Sequence, residues 1–518
     1  MSDEGVSSKF TLLVRRCQEG KTFHCIHRIQ LGIQEDHERG QSIHMVFTMN
    51  TILNNSQFAK RLNCIEQEYG KGSVVVFSSK YSGQYTHVTS RIELQGLCLD
   101  ERTCPRIVVM CSNEKRFDDA LEFIRVLNNG HTSIQRVTFT FDELHKYIGQ
   151  LRAQIEELHA MEIVESILSL TATPDRLTQF AGFWSRLKIV EIDQTNDADY
   201  AGFNDMIYTT MEAPFVSDAP TRLRARDFKE LHRQTYAYIA HVLETHHMTI
   251  LAPGTRTFCP GHVLCRGHEE IRDLIYSFAP MAVVCIINGK DKSLQYKDSP
   301  DGDLKSIPLY SMNEEVSETI ARRIHERGLQ ERPLVITGFL CVGMGQTLTH
   351  TSLGPFTSEV ISHSDLSNDD LYQLWARICG RMKRWNTYVQ THVYCPHTVM
   401  HRVHAMEECA HQIAMEGDLT PETIPTLLAE MGGEHGQIAL QNRKTPKEKK
   451  VTANTFPTDE FERGWGGFPT NEENYEYAIQ HGAKNKTTYK TNEEGFKVCT
   501  LTGKCGVISY DRVEAIAK

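Results

Sequence analysis

The sequence predicts an α/β fold: two tandem domains, each built on a parallel sheet, followed by a small C-terminal module. Three observations carry this. The chain has 518 residues, which is too long for one compact core. Two successive stretches alternate short runs rich in Val, Ile, Thr and Phe with longer amphipathic segments, the pattern of strands joined by crossover helices. A basic, polar segment, QNRKTPKEKK at 441–450, then sets off residues 451–518.

In the first stretch the expected strands are FTLLV (10–14), IHMVFTM (43–49), GSVVVFSS (72–79), PRIVVMCSN (105–113), RVTFTFDEL (136–144) and ESILSLTATP (165–174). Helices are expected over 115–128 and 146–164. Several strands end in Thr, Ser, Asn or Asp, and in parallel sheets ligands gather at the C-terminal strand ends. A connector spans roughly 193–225. The alternation resumes with MTILAPG (248–254), MAVVCIING (281–289), PLVITGFL (333–340) and TYVQTHVYC (387–395), with helices over 312–328 and 368–384. Residues 400–440 read as helical, and the final module is mixed in character. The chain has no internal repeat at solenoid spacing.

The bulk numbers are those of a soluble globular chain, with 40% hydrophobic and 24% charged residues. The opening MSDEGVSSKF lacks the pattern of a signal peptide, and no run of 18 apolar residues offers a membrane span. The 15 scattered cysteines therefore read as reduced thiols in a cytoplasmic or nuclear setting. A net charge of −10 argues against a protein coated in positive charge, but nucleic acid needs only a local basic groove.

Three strand ends carry chemistry. The first is RRCQEGKTF (15–23), where an apolar strand runs into Gly-Lys-Thr and a helix-compatible stretch. Backbone N–H groups at a helix N-terminus cradle phosphates, Gly20 permits close approach, Lys21 reaches phosphate oxygens and Thr22 holds Mg²⁺. The full phosphate-loop pattern wants glycine where this chain has Arg15, and an ordinary surface loop is the alternative. The second is Asp142-Glu143, where adjacent carboxylates can divide the labour. Asp142 would hold Mg²⁺ and Glu143 would deprotonate a water; a plain helix cap is the alternative. The third is Thr171, Ala172, Thr173 and Pro174, whose hydroxyls can hydrogen-bond the acidic pair; alone they make a Pro-terminated turn.

In this order GKT, DELH and TATP resemble motifs I, II and III of superfamily 2 helicases. Motif IV would be MTILAPG (248–254), motif V VITGFLCVGMGQTLTH (335–350) and motif VI QLWARICGRMKRW (373–385). The resemblance covers roughly residues 8–400. It is to a divergent type, closer to the helicases of large DNA viruses and phages, which would place the chain in a host cytoplasm or replication site. It implies RecA-like domains over 1–195 and 196–410, a helical segment and basic linker over 411–450 and an accessory module over 451–518. It also implies ATP and Mg²⁺ in the cleft between the domains.

The resemblance assigns cofactor binding to Gln18, Gly20, Lys21, Thr22, Gly345 and Gln373, and metal binding to Thr22 and Asp142. Catalysis falls to Glu143, Arg377 and Arg381, and coupling to His145, Thr171 and Thr173. Motif VI has two registers. One keeps Gln373 and Arg377, with Arg381 a further helical turn along; the other keeps Gly380, Arg381 and Arg384. We prefer the first. Nucleic acid, DNA or RNA, would lie across both domains, on Thr48, Asn50, Ser112, Asn113, Gln346 and Thr347, although each of these also suits a plain β–α turn. The expected molecule is a monomer without membrane contact, with a protein partner for its C-terminal module. Two rivals stay open: a non-hydrolysing nucleic-acid-binding scaffold on a decayed motor fold, and a duplex translocase or annealing motor that separates no strands.

Two cysteine clusters complete the reading. Cys259, His262, Cys265 and His268 have spacing that could ligate zinc, but buried thiols beside surface histidines are the better expectation. CTLTGKC (499–505) reads as a hairpin with Thr502-Gly503 in its turn. Trp465, Phe468, Tyr475, Tyr477, Tyr489 and Phe496 lie among lysines, and serve either as a small core or as stacking surfaces for bases.

Overall fold

The computed structural model describes residues 9–49, 52–80, 85–100, 102–129, 133–173, 188–189, 197–212, 225–309, 314–343, 347–415, 484–491, 497–503 and 506–510. The first sheet contains β1 (Phe10–Val14), β2 (Gln41–Thr48), β3 (Val74–Phe77), β4 (Thr86–Val88), β5 (Ile107–Cys111), β6 (Ile134–Asp142), β7 (Val164–Thr171) and β8 (Lys188–Ile189). Their order is β4-β3-β5-β2-β6-β7-β1-β8 and every pairing is parallel. β1, β3 and β5 are buried along their whole length, as sheets covered on both faces require. The helix Lys21–Gln34 lays Ile26, Ile29 and Ile33 on one face, against Leu13, Val46 and Leu168. The helices Glu114–Asn129 and Ile148–Ala160 cover the other, where Phe47 stacks on Phe141 at 4.9 Å and meets Phe117 at 5.1 Å.

A short strand β9 (Tyr200–Ala201) precedes the second sheet. That sheet contains β10 (Ile207–Thr210), β11 (Arg256–Phe258), β12 (Val283–Ile287), β13 (Lys292–Lys297), β14 (Leu304–Pro308), β15 (Leu334–Gly338), β16 (Ser358–Val360) and, beyond β17 (Gly380–Arg381), β18 (His392–Cys395). The order is β10-β18-β16-β11-β15-β12-β13-β14. Pairings are parallel from β10 to β12, and an antiparallel meander through β13 and β14 extends the edge. β9 pairs antiparallel with β17 outside this sheet. The two-sheet α/β architecture expected from the sequence is the one adopted.

Three local expectations change. Residues 248–254 are not a strand. The helix Ala225–Ile250 continues through Met248 because Ile250 is wholly buried on its apolar face, and the strand begins only after the turn at Gly254, φ +75°. The expected helix over 368–384 ends at Trp375; a 3₁₀ turn, Ala376–Ile378, follows, and Gly380 at φ +145° opens β17. Arg381 is therefore not a further turn along one helix face.

The chain separates into two compact units, 1–443 and 444–518. In the second, β19 (Lys484–Thr491), β20 (Lys497–Gly503) and β21 (Gly506–Tyr510) form an antiparallel sheet in that order. Thr502 and Gly503 are paired residues of β20, opposite Val507 and Gly506, and not the turn expected of them. Tyr489 stands in β19; Trp465, Phe468, Tyr475, Tyr477 and Phe496 lie outside the described residues. No described helix is long and apolar enough to cross a membrane.

Candidate nucleotide site between the two lobes

The loop after β1 begins by extending the strand: the Arg15 amide donates to the Thr171 carbonyl at 3.2 Å. Arg15 is buried and folds inward, pairing with Glu19 at 3.1 Å. Glu19 also accepts from the Arg16 amide at 2.8 Å and the Arg16 guanidinium at 2.9 Å. A buried carboxylate thus braces the loop from inside. Left-handed backbone is needed at Gln18, φ 60°, and at Gly20, φ +98°, and not at Arg15. The glycine missing at position 15 is a glycine this path does not use. Gly20 caps the helix Lys21–Gln34 without a side-chain bond and without an acid in the first turn, which suits an anion. The Lys21 ammonium spans the loop, 3.3 Å from the Arg16 carbonyl and 3.4 Å from that of Arg15.

β7 lies between β6 and β1, so the ends of all three meet. Asp142 closes β6, and Glu143 follows at φ 56°. Gln18 and Glu143 are the two non-glycine residues with positive φ among the described residues, and both line one cavity. Burial, then the neighbouring Glu143, pushes the Asp142 carboxyl up to about 7. Glu143 Oε2 accepts from the Thr171 hydroxyl at 3.2 Å and stands 3.3 Å from His145 Nδ1. The buried His145 ring lies between two hydroxyls, with Nδ1 3.0 Å from Thr171 Oγ1 and Nε2 3.0 Å from Thr173 Oγ1. Sequence-distant side chains thus hold the acid in place.

The second lobe completes the cavity, about 460 Å³, with Thr347, Gln373 and Arg377. Gln373 is 2% exposed, and neither its amide nitrogen nor its amide oxygen has a hydrogen-bond partner among the described residues. Arg377 Nε donates to the Gln373 carbonyl at 2.9 Å; burial lowers its pKa, while the carboxylates of Glu143 and Asp142 work the other way. Arg381 arrives from β17. Its guanidinium carbon lies 3.8 Å from the point where a Cβ on Gly20 would stand. Both arginines therefore reach the site, from different elements.

Sequence reading missed four contributors. The Tyr372 hydroxyl accepts from the Cys17 amide at 3.2 Å, and the Tyr200 hydroxyl donates to the Cys17 carbonyl at 2.9 Å. Arg16 lies over the Tyr200 ring at 4.0 Å. Glu407 Oε1 stands 3.1 Å from the Tyr200 hydroxyl oxygen, and Glu407 Oε2 accepts from the Phe203 amide at 2.8 Å. Arg61, the last residue of the helix Ile52–Arg61, projects into the cavity. None of these has a local motif; each matters through a partner far along the chain.

The residues expected to meet nucleic acid are placed differently. Thr48 is fully buried and its hydroxyl bonds Asn55. Ser112 is buried, and Asn113 Oδ1 accepts from the Arg116 amide at 3.0 Å at the start of the helix Glu114–Asn129. Thr347 lines the cavity between the lobes, and Asn50, Gly345 and Gln346 lie outside the described residues. The cysteine–histidine cluster disperses: Cys259 is buried, His262 pairs with Asp365 at 3.0 Å and His268 Nδ1 is 3.2 Å from the Asn288 amide nitrogen. No group of three or more side chains able to hold a metal occurs among the described residues. Thr22 and Asp142 nonetheless offer two hard oxygens in one roomy cavity, which suits Mg²⁺, an ion that keeps its waters and takes substrate phosphates.

No family model and no curated protein matches the chain. Solved structures are similar to it. Mss116p bound to single-stranded RNA and AMP-PNP shares 11% identity, with a TM-score of 0.44 over 83% of this chain and 75% of that one. The Escherichia coli DEAH/RHA helicase HrpB shares 13%, with a TM-score of 0.41 over 82% of this chain and 44% of that one. S. cerevisiae Dbp5 bound to RNA and ADP BeF3 shares 9%, with a TM-score of 0.38 over 84% of this chain and 89% of that one. At these values the likeness says nothing of chemistry. The topology is decisive: the strand before Gly20-Lys21-Thr22 and an acid-tipped strand flank β7 in an all-parallel sheet, and a second domain on a largely parallel sheet supplies the other wall of the cleft through Thr347, Gln373 and Arg377. The fold is a pair of RecA-like α/β domains.

Proposed function

We propose that this chain is a nucleic-acid-dependent ATPase, a superfamily 2 helicase or translocase that hydrolyses ATP between its two RecA-like domains. The observation that carries the reading is the content of one cavity. Lys21, Thr22, Asp142 and Glu143 come from one lobe, and Arg377 and a buried Gln373 amide, unpartnered among the described residues, come from the other. A buried amide without partners is costly unless a ligand supplies them.

Lys21 and the helix N-terminus behind Gly20 bind the phosphates. Thr22 and Asp142 hold Mg²⁺, which when bound neutralises phosphate charge. Glu143 orients the attacking water and takes its proton; Thr171 and His145 fix the carboxylate that does so. Arg377 faces the developing charge from across the cleft, a contribution of about 10³–10⁵ in rate in related phosphoryl transfers. Arg381, against the phosphate loop, steadies Gly20. Because two of its bonding partners sit on opposite lobes, nucleotide turnover opens and closes the cleft and moves the domains along a strand.

Steady-state ATP hydrolysis tests this, with single-stranded DNA, duplex DNA and RNA added in turn. Stimulation by one polymer is expected, with Lys21→Ala losing nucleotide binding. Glu143→Gln should keep nucleotide binding and lose about 10²-fold or more in rate. Flat background rates with every polymer, from folded protein that binds nucleic acid, would leave the non-hydrolysing scaffold instead.

A further inference from the structure

Arg61 makes three contacts that no phosphate-loop pattern requires. Its Nη1 lies 3.3 Å from Thr22 Oγ1, its Nη2 3.1 Å from Thr347 Oγ1 and its Nε 3.3 Å from Glu315 Oε1. Thr22 belongs to the first lobe, and Thr347 and Glu315 to the second. One guanidinium therefore holds the proposed metal ligand and both walls of the cleft at once.

The setting is built for this. Lys60 and Arg61 end the helix Ile52–Arg61, where cations suit the helix dipole. Facing them is the start of the helix Val316–Glu326. Its third residue Glu318 reaches back to the cap residue, with the Glu315 amide donating to Glu318 Oε2 at 2.9 Å. Lys60 pairs with Glu318 as Arg61 pairs with Glu315. A basic helix end thus docks on an acidic helix start where the Glu318 carboxylate is already held.

Thr22 cannot serve both partners. A divalent cation needs a lone pair of Thr22 Oγ1, toward which an Arg61 N–H points, and a guanidinium at hydrogen-bond distance from that oxygen repels the ion. We infer that Arg61 is a latch: it holds the Thr22 hydroxyl, ties it to Glu315 and Thr347, and must leave it for Mg²⁺ and nucleotide to seat. Metal binding is thereby coupled to the grip between the lobes. This rests on the nucleotide reading of the cavity.

The test uses the full chain as wild type, Arg61→Ala, Glu315→Gln and Lys21→Ala. Two quantities are read: hydrogen exchange in the helices 52–61 and 316–326 without ligand, and the Mg²⁺ concentration for half-maximal binding of a non-hydrolysable ATP analogue. Arg61→Ala should raise exchange in both helices and lower the metal requirement about 5-fold or more, the scale of an ordinary coupling between sites. Glu315→Gln should shift both in the same direction by less. Unchanged values in Arg61→Ala overturn the latch. So does weaker analogue binding, which would make Arg61 a phosphate ligand instead. If wild type and Lys21→Ala bind the analogue equally poorly at every Mg²⁺ concentration, the nucleotide reading fails. Mn²⁺ alone, followed by paramagnetic resonance, then still judges the latch: tighter Mn²⁺ in Arg61→Ala supports it and equal Mn²⁺ binding overturns it.

Discussion

Glu359 sits inside β16, fully buried, with both carboxylate oxygens lacking a partner among the described residues. Burial holds its pKa well above the ordinary carboxylate value. Glu407 shows the same effect less severely, pushed up to about 7 from 4.5, chiefly by burial. Both groups bind protons in the folded domain at pH values where the unfolded chain has released them. Their contribution to stability is whole below about pH 4.5 and is lost as pH rises; for Glu407 the loss runs through about pH 7. Glu359→Gln, which resembles the protonated acid at every pH, should match wild type near pH 4.5 and exceed it in melting temperature by a margin that grows toward pH 8. Thermal denaturation across that range checks this, and parallel curves would mean that Glu359 has a partner after all.

The segment 376–381 shows how one element is set by another. The helix from Asn368 stops at Trp375, and the chain turns through Gly380 into β17, which pairs with β9. That pairing carries Arg381 to Gly20, and β9 carries Tyr200 to the Cys17 carbonyl. Gly380 is needed at φ +145°, where a side chain is rarely tolerated. Gly380→Ala should cost about 1–3 kcal/mol in urea unfolding. Lys21-dependent nucleotide binding should weaken as well, because Arg381 no longer steadies Gly20. Unchanged binding in the folded variant would show that the strand only holds the fold together.

Three ion pairs cross between the lobes among the described residues: Lys60–Glu318, Arg61–Glu315 and Lys146–Asp370. Each time the cation comes from the first lobe and the acid from the second. This one-sided pattern makes closure an electrostatic matter, and each pair is partly exposed, hence modest alone. Screening shortens from about 10 Å at 0.1 M to about 3 Å at 1 M salt. Exchange at the interlobe helices should therefore rise with salt, while exchange in the buried strands β1 and β5 stays flat. A uniform rise would point to general loosening of the molecule.

Much of this was legible in the residues themselves. FTLLV is a strand at the bounds its apolar run suggests, because five successive buried positions leave few alternatives. Gly-Lys-Thr begins a helix, and Asp142-Glu143 ends a strand, since turn chemistry and hydrophobic runs act over a few neighbours. Where local signals compete, tertiary packing chose. Met248 to Ile250 could be strand or helix, and the buried face of the long helix decided it. The meaning of Arg15 depended on Glu19 inside the loop, and that of Thr347 on Arg61, 286 positions away. The sequence by itself determined which residues could hold phosphate, metal and water, because their chemistry is local. Only the tertiary structure decided that Arg61, Tyr200 and Tyr372 join them and that Thr48 does not face outward, because burial and partners are properties of the folded chain.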